Sequence, residues 1–142
     1  MLTVVAAIIE SEGKLLVCQR RRGSNFEMMW EFPGGKKKPG ETLEEALARE
    51  LHEELGVQAQ IGEEVHRAVH RYAELSEPME LIFFVAKADA NAIRNRVFEQ
   101  IQWRDTRDLP GLDFLPADRE LIERIASGAL GSVLFRRQDT QK

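Results

Sequence analysis

The amino-acid sequence predicts a single α/β domain. Three observations support this prediction: an apolar run at the N-terminus that suits a buried strand, one amphipathic helix with clear end signals, and further apolar strands on both sides of that helix. A chain of 142 residues is long enough to enclose one hydrophobic core. We expect the domain to span residues 1–135 and a polar tail to follow over residues 136–142.

The strands are predicted from runs of apolar and β-branched residues. Leu2–Ile9 is a run of small and β-branched residues, which is typical of a strand buried on both faces, and Lys14–Gln19 resumes after a turn. The further predicted strands are Trp30–Phe32, Gln58–Tyr72 with a kink, Met79–Ala88 and Val97–Trp103, with a turn at Glu74–Pro78 and a loop over Asp105–Phe114.

The best-defined helix begins at Thr42. Thr42 and Glu45 have the spacing of a capping box, in which each side chain bonds the other residue's backbone N–H. Gly56 supplies the stop. The apolar residues between them recur at helical spacing: Leu43, Ala46, Leu47, Leu51 and Leu55. Leu121, Ile122 and Ile125 predict a second helix over Pro116–Ala126.

Composition excludes some classes of function. The net charge of -4 argues against a general nucleic-acid binder, although one positive pocket could still take a small anionic substrate. A single cysteine, Cys18, rules out a disulfide within the chain. The apolar start is short and lacks a basic flank, so we expect no signal peptide, no membrane span and a cytoplasmic protein.

Three carboxylates stand out on the first helix. Glu50, Glu53 and Glu54 lie at i, i+3 and i+4, so they share one face of the helix. Such like charges repel unless a counter-charge lies near, and a divalent cation supplies one. The plainer alternative is a solvated helix face on which Arg49 pairs with Glu45 or Glu53.

The surrounding segment resembles the Nudix box, G-x5-E-x7-R-E-U-x-E-E-x-G-U with U aliphatic. The resemblance holds at every fixed position, in a loop–helix–turn context, which makes the signal specific. It implies a Nudix fold, an α/β/α sandwich around a mixed β-sheet. The matching residues are Gly35, Glu41, Arg49, Glu50, Leu51, Glu53, Glu54, Gly56 and Val57.

The resemblance implies a metal site with Mg²⁺ as the expected cofactor and Mn²⁺ as an alternative. Its ligands would be the Gly35 carbonyl and the carboxylates of Glu50, Glu53 and Glu54. Glu41 and Arg49 would orient the helix and its ligands.

The same resemblance implies cleavage of a phosphoanhydride, a reaction limited by charge repulsion and by the positioning of water. Glu53 is the favoured general base, with Glu50 as the alternative. Within the family the chain is most similar to MutT-like enzymes, which convert a nucleoside triphosphate to the monophosphate and pyrophosphate. Oxidised dGTP (8-oxo-dGTP) is the leading substrate, and CTP or a modified dCTP is the alternative. The alternative of another class is a non-catalytic nucleotide-binding regulator on the same fold; such proteins usually lose box glutamates, and this chain retains all of them.

Three residues outside the box resemble substrate-binding positions of the MutT branch. Arg20 lies twelve residues before Phe32, the spacing of a phosphate-binding arginine. Phe32 resembles a residue that lines the base pocket, with core packing as its other explanation. Asp118 stands where the MutT protein reads the base edge with asparagine, and CTP-cleaving members resemble this chain at that aspartate. That departure puts 8-oxo-guanine selectivity in question, and an acidic residue favourable to a helix start is the alternative reading.

Glu99 is the candidate for a fourth metal carboxylate, since the family often places a glutamate on the strand before a tryptophan, here Trp103. We expect a small nucleotide as partner, no nucleic acid and no membrane. The chain is expected to be a monomer or a homodimer.

Overall fold

The fold is built from a mixed β-sheet with helices packed against it. The structure, a computed structural model, describes residues 1–73 and 76–130. The strands are β1 Leu2–Ser11, β2 Lys14–Gln19, β3 Trp30–Glu31, β4 Gly34–Lys36, β5 Gln60–His70, β6 Met79–Lys87 and β7 Gln100–Asp105; the helices are α1 Leu43–Leu55 and α2 Arg119–Ala126, and 3₁₀ turns cover Ala90–Ala92, Thr106–Gly111 and Pro116–Asp118.

Strand β1 is the centre of the sheet. It pairs in parallel with β6 over eight residue pairs from Leu2 to Ile9, and antiparallel with β2 and β4. The order β3-β2-β1-β6-β5, with β4 added to β1 and β7 to β2, makes the sheet mixed. Because β1 has neighbours along both edges, an apolar run is the sequence expected there.

Two hydrophobic clusters lie on opposite faces of the sheet. Alternate side chains of β1 enter different clusters: Ala6 and Ile8 face one side, and Val5, Ala7 and Ile9 face the other. Helix α1 covers the second face, and α2 with the 3₁₀ turn before it covers the first. This arrangement confirms the predicted α/β fold and its layered sandwich.

Helix α1 has the predicted ends. The Thr42 hydroxyl accepts a hydrogen bond from the Glu45 N–H at 3.0 Å, and the Glu45 carboxylate accepts one from the Thr42 N–H at 2.9 Å. Gly56 ends the helix with φ at 69°, a left-handed conformation that glycine adopts without penalty. The expected kink in β5 is also present, as two irregularities in register between Ile61 and His66.

Several predicted boundaries were wrong. Gly34–Lys36 is a strand paired with β1, although its glycines indicated only the end of a strand. Strand β7 begins at Gln100 instead of Val97, because Asn95 makes two hydrogen bonds with the Phe98 backbone that hold a turn there. Residues 116–118 form a 3₁₀ turn, and α2 starts at Arg119.

Part of the predicted turn at Glu74–Pro78, the domain end at residue 135 and the tail over residues 136–142 lie outside the described residues. Among the described residues, no helix combines the length and apolar character needed to cross a membrane.

Candidate active site

Strand β4 and helix α1 hold a glycine and a glutamate against each other. Gly35 is fixed by its pairing with Val5 of β1, and Glu50 extends from α1 across the Gly35 backbone. A Cβ atom added at Gly35 would overlap the carboxylate group of Glu50. Glycine at this position therefore leaves the room in which that carboxylate lies.

One turn further along α1, Glu54 is anchored to the same strand. Its Oε1 accepts a hydrogen bond from the Gly34 N–H at 3.2 Å. The pKa of Glu54 is raised to about 9, first because its carboxyl is buried and then because the charges of Glu50 and Glu31 lie near it. Glu50 and Glu54 thus form a close acidic pair that favours a proton or a cation between them.

Arg49 organises the acidic residues around it. Its guanidinium donates to Glu41 at 2.6 and 3.0 Å, to Glu50 at 3.2 Å and to the Lys36 carbonyl at 3.0 Å. Arg49 and the Lys38 N–H lower the pKa of Glu41 to about 2, and Glu41 in turn raises the pKa of Arg49. The loop before α1 is therefore tied to the helix through an ionised pair.

Glu53 lies at the edge of this network. Its side chain is 52% exposed and accepts weaker hydrogen bonds from Arg49 Nη1 at 3.3 and 3.4 Å. The sequence predicted that three carboxylates converge, whereas two of them, Glu50 and Glu54, lie together. Glu53 therefore lies apart from the pair, and an exposed side chain such as this one can change rotamer at low cost.

The donor set suits a hard divalent cation. Mg²⁺ takes carboxylate and carbonyl oxygens and retains several waters, and Glu50, Glu54 and the Gly35 backbone offer such oxygens at one place. Within residues 1–73 and 76–130, no three Asp, Glu, His or Cys side chains already stand as a complete metal site. The metal roles of Gly35, Glu50, Glu53 and Glu54 therefore remain predictions.

A cavity of about 490 Å³ opens beside the acidic pair. Gly35 and Glu54 line it, and Glu50 lies against Gly35, so the acidic pair adjoins the cavity. Such a volume is typical of sites for small molecules. The three predicted substrate residues, Arg20, Phe32 and Asp118, all line it.

Arg20 is held in place by the cavity wall. It donates to both carboxylate oxygens of Glu31, at 3.2 and 3.1 Å, and to the Asn25 carbonyl at 2.7 Å. Burial raises the pKa of Glu31, and the Arg20 charge opposes that shift. Glu31 thus uses part of the hydrogen-bonding capacity of the Arg20 guanidinium. The Arg20 side chain remains 29% exposed.

Phe32 and Asp118 are buried residues of the cavity lining. Phe32 is 3% exposed and packs against Phe83 and Phe114, so it serves the core as well as the cavity lining. Asp118 is 2% exposed. Burial raises the pKa of Asp118 well above its usual range, the charge of Glu31 adds to the shift, and a hydrogen bond with the Phe32 backbone opposes it.

The match to known proteins decides the family. Residues 1–125 match the NUDIX domain, which is nearly the whole described chain. The chain belongs to the Nudix family.

Curated relatives and solved structures agree with Nudix membership. The chain is 36% identical to the CTP pyrophosphohydrolase of Escherichia coli, over 87% of this chain and 90% of that protein. It is 33% identical to the 8-oxo-dGTP diphosphatase of Haemophilus influenzae, over 88% of this chain and 91% of the other. The solution structure of the E. coli ORF135 protein superimposes with a TM-score of 0.78 at 33% identity, covering 94% of this chain and 92% of that one. The predicted MutT-like branch and the prediction of an enzyme, a Nudix hydrolase, are confirmed.

Glu99 is bound to a loop of the Nudix domain. Its Oε1 accepts a hydrogen bond from the Arg22 N–H at 3.2 Å, and its own N–H donates to the Gln19 carbonyl at 2.9 Å. Arg21 adds a hydrogen bond of 2.6 Å to the Val97 carbonyl from the same loop. Glu99 thereby fastens the loop that carries Arg20, and its role as a metal ligand remains a prediction.

Sequence reasoning missed three residues of the cavity. Glu31 was assigned only to a short strand, Tyr72 to the end of a strand and Phe26 to no element, yet all three line the cavity. The two aromatic rings lie 4.9 Å apart. Of these three, only Glu31 could have been identified from the sequence. It lies between Trp30 and Phe32, which are both buried, and a carboxylate in such a place needs a partner.

Proposed function

We propose that this Nudix protein is a Mg²⁺-dependent pyrophosphohydrolase that converts a nucleoside triphosphate and water into the monophosphate and pyrophosphate, with a cytosine nucleotide preferred. The observation that carries the proposal is the continuity of the site. Glu54 of the Glu50–Glu54 pair, which suits a cation and phosphates, lines a cavity whose lining also includes a buried side chain able to read a base.

The phosphate end would use the residues of α1 and β4. Glu50, Glu54 and the Gly35 carbonyl would hold the cation, with Glu53 joining them by a change of rotamer. Bound there, Mg²⁺ neutralises phosphoryl oxygens and lowers the pKa of a coordinated water. Arg20, at the cavity wall, is placed to contact a phosphate with the exposed part of its guanidinium.

The reaction needs a proton acceptor beside the attacking water. Glu53 suits this role because it is half exposed and held only by long contacts to Arg49, so its carboxylate can turn towards a water. Glu50 is the alternative, although its 3.2 Å contact with Arg49 and its place against Gly35 occupy it more fully. Arg49 would keep both in position through its bonds to Glu41.

The base end favours a neutral acid. Burial of Asp118 favours the protonated carboxyl, which presents one O–H donor beside one C=O acceptor. That pair complements the N3 acceptor and the N4 amino donor of cytosine. It does not suit guanine N1–H and N2–H, which require two acceptors, but it also matches guanine O6, an acceptor, with N1–H, a donor. The preference for cytosine therefore rests on the 36%-identical relative named a CTP pyrophosphohydrolase.

The named activities of relatives support both candidate substrates. The relative with 36% identity is named a CTP pyrophosphohydrolase, in line with the neutral-acid argument. The relative with 33% identity is named an 8-oxo-dGTP diphosphatase, and it is the reason to keep oxidised dGTP as the second candidate.

A substrate panel tests the proposal. Pyrophosphate release would be measured with Mg²⁺ for CTP, 5-methyl-dCTP, UTP, dGTP and 8-oxo-dGTP, with EDTA as the metal-free control. We expect the cytosine nucleotides to have the highest kcat/KM. Preference for 8-oxo-dGTP would favour the second candidate. A nucleotide sugar and a dinucleoside polyphosphate would be assayed beside the panel by chromatography of their nucleotide products, and hydrolysis of either that is faster by orders of magnitude would refute a nucleoside triphosphate substrate.

Two variants of Asp118 test how the base is read. Asp118→Asn keeps one donor and one acceptor, so we expect it to retain activity on the cytosine nucleotides within about threefold. Asp118→Leu keeps the approximate volume and removes both groups, so kcat/KM should fall by about tenfold to a hundredfold. If the asparagine variant loses as much as the leucine variant, an ionised Asp118 is required and the neutral-acid argument is wrong.

A further inference from the structure

Tyr72 contacts two separate chain segments that line the cavity. It is the single tyrosine of the chain and lies two residues beyond the end of β5. Its side chain lines the cavity, although the residue is only 7% exposed. Neither the phosphate chemistry nor the direct reading of the base, as described above, uses it.

The hydroxyl of Tyr72 binds the turn that carries Asp118. It accepts a hydrogen bond from the Ala117 N–H at 3.2 Å. Residues 116–118 form a 3₁₀ turn, whose first N–H groups have no partner within the turn itself. Ala117 is 5% exposed, so water cannot readily replace the hydroxyl. Tyr72 therefore fixes the backbone immediately before Asp118.

The ring of Tyr72 packs against a second segment of the cavity lining. Its centroid lies 4.9 Å from that of Phe26, in the loop between β2 and β3, and 4.3 Å from that of His70. Phe26 has a backbone φ of 56°, a conformation that residues other than glycine rarely adopt unless their surroundings hold them. Contact with Tyr72 is one of the interactions that can hold it. The same loop provides the Asn25 carbonyl that binds Arg20.

We propose that Tyr72 is a positioning residue for base selectivity, which holds the Asp118 turn and the Phe26 loop at a fixed separation so that only a base of matching width and edge is accepted. This inference rests on the proposed function, since it needs a nucleobase in the cavity. Tyr72 makes its contribution through Asp118 and Phe26. Loosening Tyr72 should affect base discrimination and KM, and leave the chemistry at α1 largely unchanged.

The test removes the hydroxyl and the ring in separate variants. Tyr72→Phe loses the bond to the Ala117 N–H and keeps the ring against Phe26, whereas Tyr72→Leu loses both. The matched control is Phe84→Leu, a buried aromatic truncation in the cluster beneath α1, away from the cavity lining. Each variant would be assayed on the best and the poorest nucleotide of the panel, with amide hydrogen exchange at Ala117 as a readout independent of activity.

For Tyr72→Phe we expect the ratio of kcat/KM between best and poorest nucleotides to fall about tenfold, through KM, with kcat within about twofold and faster exchange of the Ala117 amide. Tyr72→Leu should lose more of the ratio, and Phe84→Leu should lower the Tm with the ratio unchanged. If Tyr72→Phe changes neither the kcat/KM ratio nor the exchange rate of the Ala117 amide, the role of Tyr72 is overturned, while the proposed function stands. A wild-type protein that cleaves no nucleoside triphosphate would overturn the proposed function, and this inference with it.

Discussion

The contact between Gly35 and Glu50 gives the sharpest prediction about the site. Replacing Gly35 with alanine adds one methyl group whose nearest neighbours are the three atoms of the Glu50 carboxylate group. Those atoms end a side chain that can rotate, so the fold can accept the methyl group by moving them. We therefore expect Gly35→Ala to damage activity far more than stability.

The displacement can be worked out from the distances. Oε1 of Glu50 would lie 2.6 Å from the new Cβ, whereas ordinary contacts begin at 3.4 Å. That oxygen must retreat by about 0.8 Å, and the other two carboxylate atoms, which lie closer, must retreat further. A misplacement of about 1 Å in a catalytic arrangement can cost about a hundredfold in rate, or about 2.7 kcal/mol of transition-state stabilisation.

The matched control is the neighbouring glycine. A Cβ atom at Gly34 would overlap the backbone of β1, with Ala6 Cα at 2.7 Å and the Val5 carbonyl carbon at 2.8 Å. Backbone in the centre of a sheet cannot rotate away, so Gly34→Ala should cost about 1–3 kcal/mol or more of unfolding free energy. The two alanine variants thus compare a contact with a movable side chain, at Gly35, and a contact with fixed backbone, at Gly34.

The assays are pyrophosphate release from the preferred nucleotide at saturating Mg²⁺ and thermal unfolding without metal. For Gly35→Ala we expect kcat/KM lower by about a hundredfold and a Tm within a few degrees of wild type. A Gly35→Ala protein with kcat/KM within threefold of wild type would refute the idea that Glu50 must lie over Gly35. A loss of Tm as large as that of Gly34→Ala would show that the contact is mainly structural.

Three further predictions concern single side chains. Glu53→Gln removes the charge of the favoured base, so kcat should fall by about a hundredfold or more, and near-normal kcat would transfer the role to Glu50. Thr42→Ala should cost about 1 kcal/mol of unfolding free energy in denaturant melts, because it removes the helix cap, whereas Thr42→Ser should retain stability. The pKa of His66 is lowered by burial and by Arg124, so the folded state keeps it neutral while the unfolded chain takes up a proton below pH about 6.5. The Tm should therefore fall as the pH drops from 7 to 5, and a His66→Gln variant with the same decline would refute this origin.

Local signals in the sequence predicted α1 well. Thr42 and Glu45 cap each other within one turn, and Gly56 meets its left-handed conformation within the same segment, so no distant contact was needed to infer them. The spacing of Glu50, Glu53 and Glu54 likewise predicted a shared face. The same spacing also allowed Glu53 to pair with Arg49, and it could not decide between that pairing and a shared site, because rotamers depend on the neighbours that tertiary packing provides.

The strands were predicted less accurately where pairing, and not composition, defines them. Gly34 and Gly35 have low strand propensity, and their strand exists because β1 offers backbone groups to pair with. Arg20, Phe32 and Asp118 were identified through a resemblance, and the fold brings them together from three separate segments around one cavity. The placement of Tyr72 opposite Ala117 joins positions 45 residues apart, which no local pattern could reveal.

The sequence by itself determined the ends of α1, the apolar central strand and the acidic residues of the Nudix box, because each of these depends on neighbours within a few positions along the chain. Tertiary structure alone decided the proton affinities of two carboxyl groups in the site, those of Glu54 and Asp118. The burial of Glu54 and Asp118, and the charge of Glu31 near both, alter their proton affinities. The physical reason is that burial and electrostatic interaction depend on distance in space, and here the interacting groups come from β3, α1 and the turn before α2.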